Sequence, residues 1–193
     1  MNIKFLLLSV IFVIFSYYIF RHIIKKDYKK RMRLSMTSYL LEILVFGMHA
    51  NLIYGALQTK YPYLPPFPHN KLHTLFSGIL FASGALILLL SWLKLGTQRS
   101  LGIDNNNLIT GGLYQYSRNP QLVGYGFMLA AVTITYITLM VFIWFLLYII
   151  VCVFMIQSEE EFLIKKYNGD YKNYCNTVPR VLGHKKQKDN SKA

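Results

Sequence analysis

Four long apolar runs constrain the fold of this chain more than any other feature of its sequence. They cover residues 5–20, 39–57, 72–93 and 122–156. An α-helix rises about 1.5 Å per residue, so about 20 apolar residues are needed to cross a hydrocarbon core about 30 Å thick. The last run is too long for one helix and just long enough for two. The sequence therefore predicts an all-α, polytopic membrane helix bundle of about five transmembrane helices with a C-terminal helical hairpin.

Basic residues are distributed unevenly between these runs. The chain has a formal net charge of +13, and many of its Lys and Arg residues lie within 21–33, whereas the next connection holds only Lys60 and Lys71. Because cytoplasmic loops are enriched in Lys and Arg, we expect the first connection in the cytosol and the N-terminus outside. Residues 94–119 and everything after residue 157 are then cytosolic. This distribution indicates membrane topology, and no nucleic-acid partner is expected.

Two polar segments flank the predicted hairpin. Residues 112–124 read GLYQYSRNPQLVG, and residues 159–180 begin with EEEFL and end with VPR. A hairpin returns the chain to the membrane face at which it started, so both segments are expected at the same cytosolic face. Arg118 would then meet Glu159 and Glu160. The sequence thus predicts a polar site that a soluble cytosolic cofactor can reach.

The two segments resemble the family of isoprenylcysteine carboxyl methyltransferases and phospholipid methyltransferases. The family pattern is roughly G-x-Y-x-x-x-R-H-P-x-Y-x-G, a helical hairpin, E-E-x-x-L-x-x-x-F-G-x-x-Y-x-x-Y and V-P-R. Three positions depart from it, since Asn119 replaces a His, Leu122 a Tyr and Asn168 a Gly. The resemblance covers roughly the C-terminal half, and the matching positions are Gly112, Tyr114, Arg118, Pro120, Gly124, Glu159, Glu160, Leu163, Tyr171, Tyr174, Val178, Pro179 and Arg180.

This resemblance implies an integral membrane methyltransferase that uses S-adenosylmethionine. The implied acceptor is a lipid-accessible carboxylate, amine or thiol, and the implied partners are membrane lipids and a lipid-soluble or lipidated acceptor. Arg118 and Glu160 are the implied catalytic residues. The implied cofactor-binding residues are Gly112, Tyr114, Arg118, Asn119, Pro120, Gly124, Glu159, Glu160, Tyr171 and Tyr174.

The residue types at these positions suit that chemistry. Asn119 and Pro120 form the signature of a helix start, which aims backbone N–H groups and the positive end of the helix dipole at the site beside Arg118. Such a place suits an anion, and S-adenosylmethionine carries a carboxylate. Its ammonium needs a negative partner, Glu159 or Glu160, and Glu160 is also the nearest base for an amine acceptor. The tyrosines either cover the adenine or a cation, or anchor the chain at the membrane boundary.

Two pairs of residues outside the motifs contain histidine. Glu42 and His49 lie a heptad apart in the second run and face nearly the same way, which is consistent with either an intramembrane functional role or ordinary helix packing. His69 and His73 have the i, i+4 spacing of helical metal ligands. Asn70, however, is a predicted N-cap that leaves His69 outside the helix, so no metal site is expected.

No linker or internal repeat divides the chain. We expect one domain over residues 1–183, with its motifs in 94–183, followed by a disordered basic tail at 184–193. Lys4 is the only basic side chain before the first apolar run, and no small-residue cleavage site follows the run. We therefore expect a retained membrane helix rather than a removable signal peptide.

Two other classes of protein are alternatives to a methyltransferase. Sterol-type membrane reductases that use NADPH share a related C-terminal arrangement, but recognition of the cofactor phosphates calls for clustered Arg and Lys rather than a carboxylate pair. A non-catalytic membrane binding protein is the second alternative, because a shared scaffold does not by itself establish catalysis.

The predicted orientation can be tested by labelling in intact cells. A cysteine placed within residues 25–33 is expected to be shielded from an impermeant thiol reagent, and a cysteine at Phe67 is expected to be labelled, because the membrane separates the two connections. The reverse labelling pattern would refute the orientation.

Overall fold

The computed structural model describes residues 2–68, 70–96 and 107–183, and every regular element in these ranges is helical. A 3₁₀ turn at Gly112–Gln115 precedes the hairpin. The α-helices are α1 (Ile3–Tyr18), α2 (Lys25–Arg31), α3 (Met36–Leu57), α4 (Lys71–Leu95), α5 (Pro120–Thr135), α6 (Leu139–Tyr167) and α7 (Gly169–Thr177).

The first membrane helix continues without a break into the basic segment. A π-helical stretch, Ile19–Ile24, joins α1 to α2, so the helical rod runs from residue 3 to residue 31. It ends where Met32 adopts a left-handed conformation with φ 54°. The Asp27 carboxylate then accepts hydrogen bonds from the Ser35 and Ser38 hydroxyls and fixes the start of α3. Much of the connection predicted between the first two spans is therefore helix.

The predicted spans are largely confirmed. Within the described residues, four helical stretches have the length and apolar composition of a membrane span, namely 3–31, α3, α4 and α6. The fifth apolar helix, α5, has 16 residues, which is about 24 Å of helix and shorter than a typical hydrocarbon core. The C-terminal hairpin itself is present as α5 and α6, with the turn between Thr135 and Leu139.

Helix α5 packs against α4 at a crossing of two glycines. A Cβ atom on Gly124 would lie 2.6 Å from the Leu88 amide nitrogen and 2.7 Å from the Gly84 carbonyl oxygen. A Cβ on Gly84 would lie 2.5 Å from the Gly124 oxygen. The two backbones therefore approach more closely than side chains would allow, as is usual where small residues mediate helix contacts in membranes.

Helices α3 and α6 are joined by a reciprocal polar contact in the apolar core. The Trp144 indole N–H donates to the His49 carbonyl oxygen at 2.8 Å, and His49 Nε2 lies 3.0 Å from the Trp144 carbonyl oxygen. The two rings are stacked with their centroids 4.9 Å apart. Because both residues are buried, this pair provides a packing role for His49.

A substitution at the glycine crossing tests whether it holds the hairpin in place. We expect Gly124→Ala to destabilise the protein by about 1–3 kcal/mol, because the added methyl group overpacks a backbone contact. Gly78→Ala is the matched control, since a Cβ at Gly78 of α4 meets no atom within 4 Å. The measurement is the unfolding midpoint of each purified variant in detergent. Equal midpoints for both variants would contradict the described crossing.

Candidate cofactor site

Glu160, near the end of α6, lies between two arginines from distant parts of the chain. Its Oε1 is 2.9 Å from Nη1 of Arg118, and its Oε2 is 2.5 Å from Nη2 of Arg180. The Arg118 and Glu160 side chains are 11% and 10% exposed, whereas that of Arg180 is 54% exposed. Both oxygens of Glu160 thus lie within ion-pair distance of guanidinium groups. Oε2 accepts a charge-assisted hydrogen bond from Arg180, whereas Oε1 accepts no hydrogen bond from any described residue.

Backbone contacts hold the two arginine-bearing segments together. The Arg118 amide donates to the Pro179 carbonyl oxygen at 3.0 Å, and Nδ2 of Asn119 donates to the Arg180 carbonyl oxygen at 2.8 Å. Helix α5 begins at Pro120, as predicted. The Asn119 side chain, however, makes no capping hydrogen bond to α5, so its predicted N-cap interaction is replaced by a contact with the segment after α7.

Glu160, Arg118 and Arg180 form one ion group. A cleft opens beside it, between the 3₁₀ turn, the start of α5, the end of α6 and α7. It encloses about 820 Å³, including the part open to solvent. Glu159 lines it and forms no ion pair with any described residue. Its lining residues are Leu95, Asn107, Leu108, Ile109, Tyr114, Arg118, Asn119, Gln121, Leu122, Met155, Glu159, Glu160, Leu163, Tyr167, Tyr171 and Tyr174.

Three tyrosines form the wall of the cleft toward α7. The Tyr174 hydroxyl donates to the Tyr114 carbonyl oxygen at 2.6 Å, which fixes the 3₁₀ turn against α7. Burial raises the pKa of Tyr171 above its usual value, and the charges of Glu160 and Glu159 raise it further. Burial likewise raises the pKa of Tyr114 and of Tyr174. All three hydroxyls therefore stay protonated at neutral pH.

Most of the predicted site residues meet in this cleft. Tyr114, Arg118, Asn119, Glu159, Glu160, Tyr171 and Tyr174 all line it. Three predicted cofactor-binding residues are not among its lining residues. Gly112 has φ 65° and packs against Lys94, Pro120 is buried at the first position of α5, and Gly124 lies at the α4–α5 crossing. For these three the structure provides conformational and packing roles instead.

Two residues with no role predicted from the sequence lie at the ion group. Arg180 is part of the V-P-R signature, and its place in this signature is the feature of the sequence that could have identified it. The Cys175 thiol contacts Nη1 of Arg118, and no sequence pattern pointed to that contact. Burial raises the pKa of Cys175, while the Arg118 charge lowers it. The thiol therefore serves as a neutral neighbour of the guanidinium.

Glu161, the third acid of the run, belongs to a separate ion group. It pairs with Arg21 at 2.8 Å and with Lys25 at 2.6 Å, and it is 43% exposed. These contacts join the first helical rod to α6. No group of three His, Cys, Asp or Glu residues able to hold a metal is found in the described ranges. His73 lies on α4, and His69 and the predicted tail at 184–193 fall outside the described residues.

The fold and the cleft together define a class of protein, a polytopic helical membrane protein with a polar cleft at one end of its C-terminal hairpin. Comparison with family models is more specific. Residues 72–170, just over half of the chain, match the phospholipid methyltransferase family. The chain belongs to this family of membrane methyltransferases, which confirms the resemblance found in its motifs. No curated protein and no solved structure matches it significantly.

Removing the Glu160 charge tests the ion group. We expect Glu160→Gln to lower the free energy of unfolding by about 3 kcal/mol, because the buried Arg118 guanidinium loses its counter-charge. Glu161→Gln removes the same charge from the next position of α6, where the pairs are more exposed, and is expected to cost about 1 kcal/mol or less. Denaturant titration of both purified variants measures the difference. Similar losses in the two variants would show that Glu160 is not the central partner described here.

Proposed function

We propose that the protein is an S-adenosylmethionine-dependent methyltransferase whose acceptor enters from the membrane. The observation that carries this proposal is the division of charge within one cleft. Two arginines share Glu160, while Glu159 lines the same cleft without an ion-pair partner among the described residues. The amino-acid end of S-adenosylmethionine presents one carboxylate and one ammonium. A cleft with separate positive and negative groups suits both.

Arg118 and Arg180 are the residues that would hold the cofactor carboxylate. The Arg118 Nε–H group is buried and has no hydrogen-bond acceptor among the described residues, although its Nη1 is paired. A buried donor without an acceptor is costly, and a ligand carboxylate would satisfy it. Glu160 then acts as a positioning residue that orients both guanidinium groups. This geometry favours Glu159 over Glu160 as the partner of the cofactor ammonium.

The remaining wall of the cleft supports the other parts of the reaction. Bound S-adenosylmethionine supplies a methyl group on a positively charged sulfur. Aromatic rings at Tyr114, Tyr171 and Tyr174 provide faces for the adenine or for that cation. Leu122, Met155 and Leu163 line the cleft with apolar groups, which suits an acceptor that arrives from the lipid phase and excludes water around the transferred methyl group.

The site's charges also argue against a reductase that binds NADPH. Cofactor phosphates are recognised by arginines and lysines with free donors and net positive charge. Here Arg118 and Arg180 share one carboxylate, and Glu159 adds a second acidic side chain to the cleft. The basic segment at 21–33 supports a cytosolic position for this cleft, where a soluble cofactor is available.

Calorimetric titration of the purified protein with S-adenosylmethionine, and separately with NADPH, tests the proposal. We expect binding of S-adenosylmethionine alone. Glu159→Gln and Arg118→Lys are each expected to weaken it by about tenfold or more, because the first loses an ionic contact and the second loses the planar fork.

Tyr116→Phe is the control for these titrations. Tyr116 is 72% exposed and does not line the cleft, so its substitution should leave the affinity unchanged. Binding of NADPH in place of S-adenosylmethionine would overturn the proposed function. Parent-like affinity in both Glu159→Gln and Arg118→Lys would instead remove these two residues from the cofactor site.

A further inference from the structure

A groove lies between α2 and α6, and it shares no lining residue with the cleft. It encloses about 400 Å³, including the part open to solvent. The rings of Tyr28 and Phe162 line it and stack on each other, with their centroids 4.4 Å apart and an angle of 8° between the planes. These two rings join α2 to α6, so the groove belongs to a packed contact between the helices.

Three lysines line this groove. Lys25 and Lys29 come from successive turns of α2, and Lys165 comes from the last turn of α6. Lys29 and Lys165 are exposed and form no ion pair with any described residue. Lys25 and Lys29 also have the i, i+4 spacing at which like charges destabilise a helix. The groove therefore gathers positive charge from two helices at one place.

The carboxylate in the groove does not cancel this charge. Glu161 is the one acidic side chain among the described residues that line it. It pairs with Arg21 at 2.8 Å and with Lys25 at 2.6 Å, so two cations already share its charge. Lys29 and Lys165 are left to bind an anion from outside the chain.

The groove lies at the depth of the lipid headgroups. The helical rod at 3–31 and α6 have 29 residues each, which is about 44 Å of helix. The hydrocarbon core is about 30 Å thick, and a bilayer with its headgroups is about 40–45 Å thick. The apolar run of the rod ends near residue 20, and the exposed rings of Tyr17 and Tyr18 stand there, at the boundary where tyrosine is favoured. Helix α2 and the last turn of α6 therefore extend into the headgroup layer.

A topology signal alone does not require this arrangement. The positive-inside bias depends on how many Lys and Arg residues a connection holds, wherever their side chains point. Lys165 lies far from α2 in the sequence and reaches the groove only because the fold packs α6 against α2. The convergence of lysines from both helices on one concave surface is the geometry of a binding site.

We propose that this groove binds the phosphate of an anionic membrane lipid, with Lys29 and Lys165 as its ligands. Ammonium groups donate charge-assisted hydrogen bonds to phosphate oxygens, and basic pockets between membrane helices are a recurrent place for anionic headgroups. A zwitterionic lipid brings a positive group together with its phosphate, and the lysines repel that group. The bound phosphate neutralises lysines of both helices and thereby strengthens the contact of α2 with α6. The site uses no residue of the cleft and does not depend on the proposed function.

Native mass spectrometry of the purified, delipidated protein tests the site. The probes are phosphatidylglycerol and phosphatidylcholine at equal concentration, and the readout is the ratio of the two bound lipids. We expect the parent to retain phosphatidylglycerol preferentially. Lys29→Gln and Lys165→Gln should each lower that preference by about tenfold, the value of one charge-assisted contact. A parent without a preference, or variants with the parent's preference, would overturn the inference.

Lys26→Gln is the matched control. Lys26 is an exposed lysine of α2 that does not line the groove and forms no ion pair with any described residue, so the same charge is removed from the same helix. This variant should keep the parent's preference. Equal losses in Lys26→Gln and Lys29→Gln would indicate general attraction to a basic surface and overturn the groove as the site.

Two further measurements separate charge from packing and a lipid from a soluble phosphate. Lys29→Arg keeps the charge and should keep the preference, whereas a loss as large as that of Lys29→Gln would assign the effect to packing and refute the site. Phosphatidylglycerol should raise the unfolding midpoint of the parent more than that of Lys29→Gln, because a ligand that binds the folded state stabilises it. Glycerol phosphate at the same concentration should not displace the lipid. Full displacement would identify a soluble phosphate as the ligand and overturn the lipid site.

Discussion

The ionic contact of Glu160 with Arg118 and Arg180 is the interaction on which the site depends. It joins the segment before α5, the end of α6 and the segment after α7. A buried ion pair contributes little net stability, because desolvation of the charges offsets their attraction, but it strongly disfavours any arrangement that leaves one charge alone. The contact thus specifies where the three segments meet. Backbone bonds from Arg118 to Pro179 and from Asn119 to Arg180 then fix their register.

The helices that carry these segments are anchored at places away from the cleft. Gly84 and Gly124 bring α4 and α5 into a backbone contact in which no Cβ atom would fit. Helix α6 is held by the His49–Trp144 pair in the core and, near the site, by the Ser158 hydroxyl, which donates to the Phe20 carbonyl oxygen at 2.8 Å. These contacts support the polar ends of α5 and α6 that line the cleft, as precise positioning of a charged ligand requires.

Hydrophobic length is a local property of the sequence, and this is why the apolar runs predicted the helices and the hairpin well. The meeting of the two motifs followed from the hairpin alone. The hairpin did not predict which acid pairs with the arginines. Glu159 and Glu160 are adjacent, and their side chains point in directions that differ by about 100° on a helix. The motif does not indicate which of the two faces the arginines. The role of Gly124 was equally hidden, because a glycine in a motif looks the same whether a ligand or another helix approaches it. Asn119 stands at a predicted N-cap position, but its side chain donates a hydrogen bond to the Arg180 carbonyl oxygen and does not cap α5.

The distribution of charge in the cleft connects these contacts to the proposed chemistry. Arg118, Arg180 and Glu160 together leave one net positive charge, which is where a ligand carboxylate is favoured. Glu159 lines the same cleft and forms no ion pair with any described residue. S-adenosylmethionine carries a carboxylate, an ammonium and a positive sulfur, and a low dielectric constant strengthens the interaction of these charges with the groups that line the cleft. A cleft that presents guanidinium groups and an acidic side chain separately can therefore hold both ends of the amino-acid part of this donor, and this is the physical reason why the two motifs must meet for the site to form.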